Sequence, residues 1–529
     1  MSKRTHHLRH SCSQHNSLVE DIEVCPGCGD HLPFEVDERF SHVVGPQNIL
    51  EHTVQKKEPI ENSTLLYQQT DPRTNDRLGL GGKRLGRTGS DCYSRDEISS
   101  TGSLIRRFCL FRCCSSPPKF FQSIVLLLFA AFAVRAVAAV GLQIYLDRQP
   151  NRDFLIAGDA EGYWQLAKNI AAGEPYEVHD PPRRILRMPG FPLVLAIPIR
   201  LADSSFLATR LWLACMGTFA VWLCYRLACL LVDRPVALVA GWITALHPVF
   251  AGFSVLILSE TCFAAALLAS LISLRQLESS GGSVLKPLVA GLLVAGATYM
   301  RPVWLLFPIL WAVYQLLATR DFRRTLRQIL FIAVGMAIGL APWTYRNYRV
   351  SGHLIPTTLW VGPSLYDGLN PEATGASDMQ FFDRDQLPES MTEYEVDREY
   401  RARAWRFARE NPGRAVELAG AKAVRYWRPW PASAEVSHPA VVVLIGAVNT
   451  VAFLLVIIGI WHFRRQGSRL FYTLAPLFYF AAIHLIFVGS LRYRLPAEYP
   501  LMILVGIAMV KCLCSSKIER GSVAGDLPD

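Results

Sequence analysis

The sequence predicts an all-α polytopic membrane protein, and three observations carry that expectation. Of 529 residues, 51% are hydrophobic and only 19% charged, less charge than a soluble chain of this length carries. Ten apolar runs follow one another between residues 121 and 514, each judged against the roughly 20 residues a helix needs to cross a bilayer. Short arginine clusters recur between runs, which marks the cytosolic side. The net charge of +10 is concentrated before the first run and in those short loops. It therefore reports topology rather than a nucleic-acid partner.

Residues 1–118 are polar, rich in Ser, His, Arg and Gly, with no sustained period, and read as a disordered cytosolic tail. Within it, "CPGCGDHLPF" sets Cys25 and Cys28 at zinc-ligand spacing. A structural site would need two more ligands from His10, Cys12, His15 or His31; the alternative is an exposed turn. The extreme N-terminus has no cleavable signal pattern, so the first apolar run is expected to act as an uncleaved anchor. None of the 13 cysteines falls in the large loops assigned to the outside, which suits an outside face without disulfides.

The runs lie near 121–146, 207–232, 235–252, 254–275, 286–300, 302–318, 327–344, 438–462, 470–490 and 496–514. "RRFCLFRCC", "RDFRRTLR" (320–327) and "HFRRQGSR" (462–469) should be cytosolic. That places the first loop (147–206), residues 346–437 and "RYRLPAEYP" outside. Parity closes if "MPGFPLVLAIPIRL" (188–201), short and with three prolines, lies in the interface instead of spanning. The expected organisation is a seven-span module (119–345), an outside helical segment (346–437), a three-span module (438–515) and a cytosolic tail (516–529). The outside segment should hold two amphipathic helices broken at Asn411-Pro412.

In the first outside loop, Tyr163, Leu166, Ala167, Ile170 and Ala171 recur at helical spacing, and Gly173 can end the helix. Asp159 stands at its start, where it would serve as an N-cap or as a reactive acid. Several arginines share the same outside ends of the runs: Arg187, Arg301, Arg346, Arg492 and Arg494. Each one alone could snorkel to headgroups. Several together with a carboxylate suit an anionic phosphate beside a proton-accepting group. Glu260, a lone acid in an apolar run, is either internally paired or part of a substrate cavity. His179 and Asp180, before two prolines, are either ligands or turn residues, and the prolines favour the turn.

These motifs, "GDAEGYWQLAKNIAAG", "RMPGFPLVLA", "SE", "RP", "APWTYRN" and "RYRLP", occur in the order seen in bacterial membrane glycosyltransferases of the C superfold. The chain most resembles glycosyltransferase family 39, the dolichyl-phosphate-mannose–protein mannosyltransferases, and the lipid A aminoarabinose transferases, over about residues 120–514. The resemblance implies a C-superfold enzyme of about ten spans, with two interfacial helices in the first outside loop. It implies inverting transfer from a polyprenyl-phosphate sugar donor to a protein, lipid or glycan acceptor on the periplasmic face of a bacterial inner membrane. Asp159 then matches the general base. Glu161, Tyr163, Arg187, Glu260, Arg301, Arg346, Arg492 and Arg494 become donor or acceptor contacts, and an aromatic surface near Tyr163, Trp164 and Trp304 would hold the sugar and first isoprene units. No cofactor is firmly implied, though a divalent metal is compatible with the pattern. The rival readings are a transporter or flippase of lipid-linked sugars, and a non-catalytic scaffold in which Asp159 only caps a helix.

Overall fold

The structure, a computed structural model, describes residues 117–523 apart from 151, 280–281 and 432–437, with side chains from 122 to 512. The Cys25–Cys28 motif lies outside the described residues. All ten apolar runs are helical. The chain runs through α1 (Pro117–Asp147), α2 (Asp159–Ala172), α3 (Gly190–Leu201), α4 (Phe206–Leu231), α5 (Arg234–Leu246), α6 (Pro248–Phe253), α7 (Glu260–Glu278), α8 (Leu285–Met300), α9 (Phe307–Thr319) and α10 (Phe322–Ser351). Residues 346–437 contribute α11 (Val361–Gly368), α12 (Gln380–Asp385), α13 (Leu387–Ser390), α14 (Glu393–Glu410) and α15 (Pro412–Trp427). Three long helices close the chain: α16 (Pro439–Phe463), α17 (Gly467–His484) and α18 (Leu491–Val523).

Among the described residues, seven helices are long and apolar enough to cross a membrane: α1, α4, α7, α9 with its preceding turn, α10, α16 and α18. Three of the ten expected runs fall short of that length or hydropathy, for local reasons. The run at 235–252 is cut at His247-Pro248 into α5 and α6, because proline has no amide to continue the helix. Helix α8 has 16 residues, about 24 Å at 1.5 Å per residue, short of a hydrocarbon core of about 30 Å. Helix α17 has 18 residues and carries Arg469 in its first turn.

The α5 break explains a charge inside the bundle. Arg135, fully buried in α1, donates from Nη1 to Ala245 O at 2.9 Å. Its cation thus sits at the C-terminal end of α5, where carbonyls are left over and a positive charge is favoured.

Helix α18 is the axis. It packs against α4, α5, α7, α15, α16 and α17, and 78% of its apolar window is buried, against 17% for α16. Helices α2 and α3 pack on each other. Tyr163 meets Phe191 edge to face at 5.0 Å, and Trp164 stacks on Phe206 at 4.4 Å. Gly173 ends α2 in the left-handed conformation, φ 76°. Gly190 opens α3 against the end of α8: a Cβ there would lie 2.5 Å from the Tyr299 carbonyl oxygen.

Outside the bundle, α14 begins with a capping box, Thr392 with Glu395, and breaks to α15 at Asn411-Pro412 as expected. Lys422 of α15 is fully buried and donates to Ile486 O at 2.6 Å and Leu485 O at 3.4 Å, fastening α15 to the turn before α18.

Two consequences are measurable. Gly190→Ala should push α3 off α8 and cost about 1–3 kcal/mol, read as a lower thermal midpoint in detergent; an unchanged midpoint would contradict the close approach. Burial pushes the Lys422 ammonium down to about 8, so between that pH and the ordinary lysine value near 10.4 the unfolded chain binds the proton more tightly. The stability contributed by this group therefore rises with pH across that window. In Lys422→Met that part of the rise should vanish from the pH dependence of the thermal midpoint.

Candidate active site

Five of the residues singled out in the sequence converge at one end of the bundle. Four are delivered by helix ends and one by a loop: Asp159 by the start of α2, Glu260 by the first residue of α7, Arg301 by the residue capping α8, Arg492 by the start of α18, and Arg187 by the loop before α3.

Asp159 does not cap α2. Gly158 occupies the cap position at φ 62°, and no side chain bonds the first turn. The carboxylate turns instead to two guanidiniums: Oδ1 accepts from Arg187 Nη2 at 2.6 Å, and Oδ2 pairs with Arg492 Nη2 at 2.8 Å. Glu260 is fully buried; its Oε1 accepts from Arg492 Nε and lies 3.6 Å from Arg301 Nη1. Arg492 therefore bridges both acids. Arg187 lies over the Tyr163 ring at 4.6 Å, and Arg301 over Tyr493 at 5.4 Å.

The electrostatics follow from this geometry. Burial opposes ionisation of Asp159, but Arg187 and Arg492, with Arg301 behind them, outweigh it and hold the carboxyl well below the usual range. Burial likewise opposes the charge on Arg187, and Asp159 reverses that, raising it above the usual guanidinium value. Some capacity is left over. Among the described residues Arg187 Nε and Glu260 Oε2 are buried and find no hydrogen-bond partner. Three guanidiniums against two carboxylates leave one positive charge, so the site suits an anion. Among the described residues no group of three or more His, Cys, Asp and Glu side chains could hold a metal ion.

The remaining candidates lie elsewhere. Glu161 is exposed on α2. Arg346 donates to Arg184 O at 2.6 Å and Tyr176 O at 3.0 Å, and so binds the first outside loop rather than the cluster. Arg494 is fully buried, pairs with Glu498 and donates to Arg428 O at 2.8 Å, clasping the end of α15 to α18. Trp304, expected on a substrate surface, is core: it is fully buried, stacks on Phe307 at 3.9 Å and donates to Ser270 Oγ at 3.0 Å. His179 and Asp180 form a turn closed by the Val178–Arg183 bridge. Sequence reasoning missed Tyr493, although it stands inside "RYRLP". It also missed Glu393, whose partners lie more than 200 residues away.

Residues 181–345 match the family model described as dolichyl-phosphate-mannose-protein mannosyltransferase, a stretch that includes Arg187, Glu260 and Arg301. No curated protein sequence matches the chain. Among solved structures, it is similar to the oligosaccharyltransferase AglB from Archaeoglobus fulgidus in complex with an inhibitory peptide and a dolichol-phosphate. The identity is 13%, over 76% of this chain and 52% of that one, with a TM-score of 0.46. It is also similar to ArnT from Cupriavidus metallidurans bound to undecaprenyl phosphate, at 15% identity over 77% and 81%, with a TM-score of 0.38. The chain spans about half the length of the oligosaccharyltransferase. From residue 181 to 345 it resembles the dolichyl-phosphate-mannose–protein mannosyltransferases, the family to which its ordered motifs pointed.

Proposed function

We propose that the protein is an integral membrane glycosyltransferase that moves a sugar from a polyprenyl-phosphate donor to an acceptor on the non-cytosolic face of a bacterial inner membrane, with inversion and with Asp159 as general base. The observation that supports this reading most is the pairing of Asp159 and Glu260 through Arg492, flanked by Arg187 and Arg301. Its one surplus positive charge matches the single negative charge of a phosphodiester, the linkage in a sugar joined to a lipid phosphate. The matched family is described by a donor of that class, a mannose on dolichyl phosphate.

The chemistry follows from charge. An acceptor hydroxyl or amine attacks the anomeric carbon from the face opposite the phosphate. The bond from that carbon to the phosphate oxygen breaks, and its electron pair stays on the phosphate. The acceptor's proton passes to Asp159. The leaving phosphate gains a second negative charge, which the preorganised arginines stabilise. It is already a weak base and needs no proton to depart.

In the unliganded arrangement Asp159 is a poor base, because two guanidiniums hold its proton affinity down. A donor phosphate competes for the same guanidiniums. As Arg187 and Arg492 turn toward it, Asp159 recovers basicity when the donor is in place. Glu260, buried and shared between Arg492 and Arg301, keeps both arginines oriented meanwhile. The acceptor class and the sugar are properties of surfaces beyond this cluster. A flippase would move the same donor without breaking its sugar–phosphate bond, so transfer assayed with labelled donor separates the two activities.

Asp159→Asn should lower transfer by about 10²–10⁴-fold, the usual cost of losing a general base, while undecaprenyl-phosphate binding holds or tightens because two arginines are released. Glu161→Gln should have a smaller effect. Transfer by Asp159→Asn at the wild-type rate would overturn the assignment. The orientation has its own test: Glu372→Cys, at an exposed position of the outside segment, should react with an impermeant thiol reagent in intact cells. Arg323→Cys, exposed at the opposite end of α10, should react only after permeabilisation. The reverse pattern would move the site to the cytosolic face.

A further inference from the structure

Arg187 stands on a strap, residues 176–187, that has no regular structure beyond one turn. A guanidinium on a loose loop would be a weak anion ligand, because ordering it would cost conformational entropy at each binding event. The strap is held instead through its backbone. Arg346 of α10 takes Tyr176 O at 3.0 Å and Arg184 O at 2.6 Å. Leu359 N donates to Ile185 O at 3.0 Å, and Tyr176 Oη donates to Arg187 O at 3.2 Å. At the centre, Glu393 accepts two successive amides, Arg184 N at 2.9 Å and Ile185 N at 3.0 Å.

We propose that Glu393, in the first turn of α14, is a positioning residue: it holds the strap so that Arg187 meets Asp159. The inference rests on the function proposed above. Ile185 is two residues from Arg187, so the two Cα atoms are at most about 7 Å apart, and fixing both amides sets the point from which the Arg187 side chain extends. A carboxylate suits the task because it offers only acceptors, and bonds from backbone amides to an ionised acceptor are among the stronger ones. A carboxamide would turn an N–H toward one of the amides. Glu393 itself is anchored by the capping box that starts α14. The outside segment, 206 residues further along the chain than Arg187, thereby sets the geometry of the donor site without touching it.

The experiment is a double-mutant cycle in the full-length protein, measuring sugar transfer and undecaprenyl-phosphate affinity for Glu393→Gln, Arg187→Met and the pair. Misplacing a binding group by about 1 Å can cost up to 10²-fold, so Glu393→Gln should lower transfer about 10- to 100-fold and weaken lipid-phosphate binding. If it acts through Arg187, adding it to Arg187→Met should change either quantity by less than about 2-fold, because coupled residues are not additive. Glu399→Gln, on the same helix but paired with Arg403 at 2.8 Å, should multiply with Arg187→Met and leave lipid-phosphate affinity intact. If Glu393→Gln does not accumulate, Arg346→Met reaches the same strap from α10 and should show the same non-additivity. Independent, multiplicative losses for Glu393→Gln and Arg187→Met would overturn this inference alone. Wild-type transfer by Asp159→Asn would overturn the function on which it rests.

Discussion

Arg492 joins the two acids of the site, and much of the molecule is arranged so that it can. Glu260 is fully buried at the start of α7, and a carboxylate removed from water is tolerated only when a cation and hydrogen bonds replace its hydration. Asp159 arrives beside it from a different part of the chain. A guanidinium between them, with Nε on one and Nη2 on the other, compensates both charges at once. A lysine has one charged nitrogen and no fork with which to bridge them.

The bundle delivers these charges through its helix ends. Helix α18 is the most enclosed of the spans, which fixes Arg492 at its mouth. Around it, α7 and α8 end at the same level, and each end contributes a residue that could not stand in lipid. Lys422 and Arg494 tie α15 to the turn before α18 and to α18 itself, while Arg346 and Glu393 tie the first outside loop to α10 and α14. The segment from α11 to α15 therefore braces both arginines that reach Asp159, from opposite ends of the α14–α15 pair. Buried cations bonded to backbone carbonyls recur in these braces. In such positions the peptide dipoles, rather than acids, carry part of the compensation.

A tension follows between resting structure and chemistry. The ion pairs that order Asp159 also suppress its basicity, and a general base works best with a proton affinity near that of the medium. In the proposed reaction an anionic substrate resolves the conflict by exchange: it takes over the guanidiniums and releases the carboxylate. The same charges then serve binding, leaving-group stabilisation and the gating of the base.

Local features of the chain were legible without the fold. Helical spacing located α2, Gly173 ended it, Asn411-Pro412 divided α14 from α15, and the proline-rich run at 188–201 became α3. Each depends on dihedral preferences or on side chains within a few residues, so one short window contains the cause. The same window admitted Asp159 as an N-cap and His247-Pro248 as the middle of a span, the family resemblance added Trp304 as a substrate surface, and the structure chose otherwise in each case. Which arginine meets which acid was decided only in three dimensions. Arg187 and Asp159 are 28 residues apart, Arg492 and Glu260 are 232, and Glu393 and Arg184 are 209. The sequence by itself determined that several outside arginines and two acids would need partners, because charge beside an apolar run must be compensated. It left open that Arg492 bridges the acids while Arg346 and Arg494 serve backbone carbonyls. That choice depends on which helix ends the packed bundle brings to the same level, and packing is a property of the whole chain.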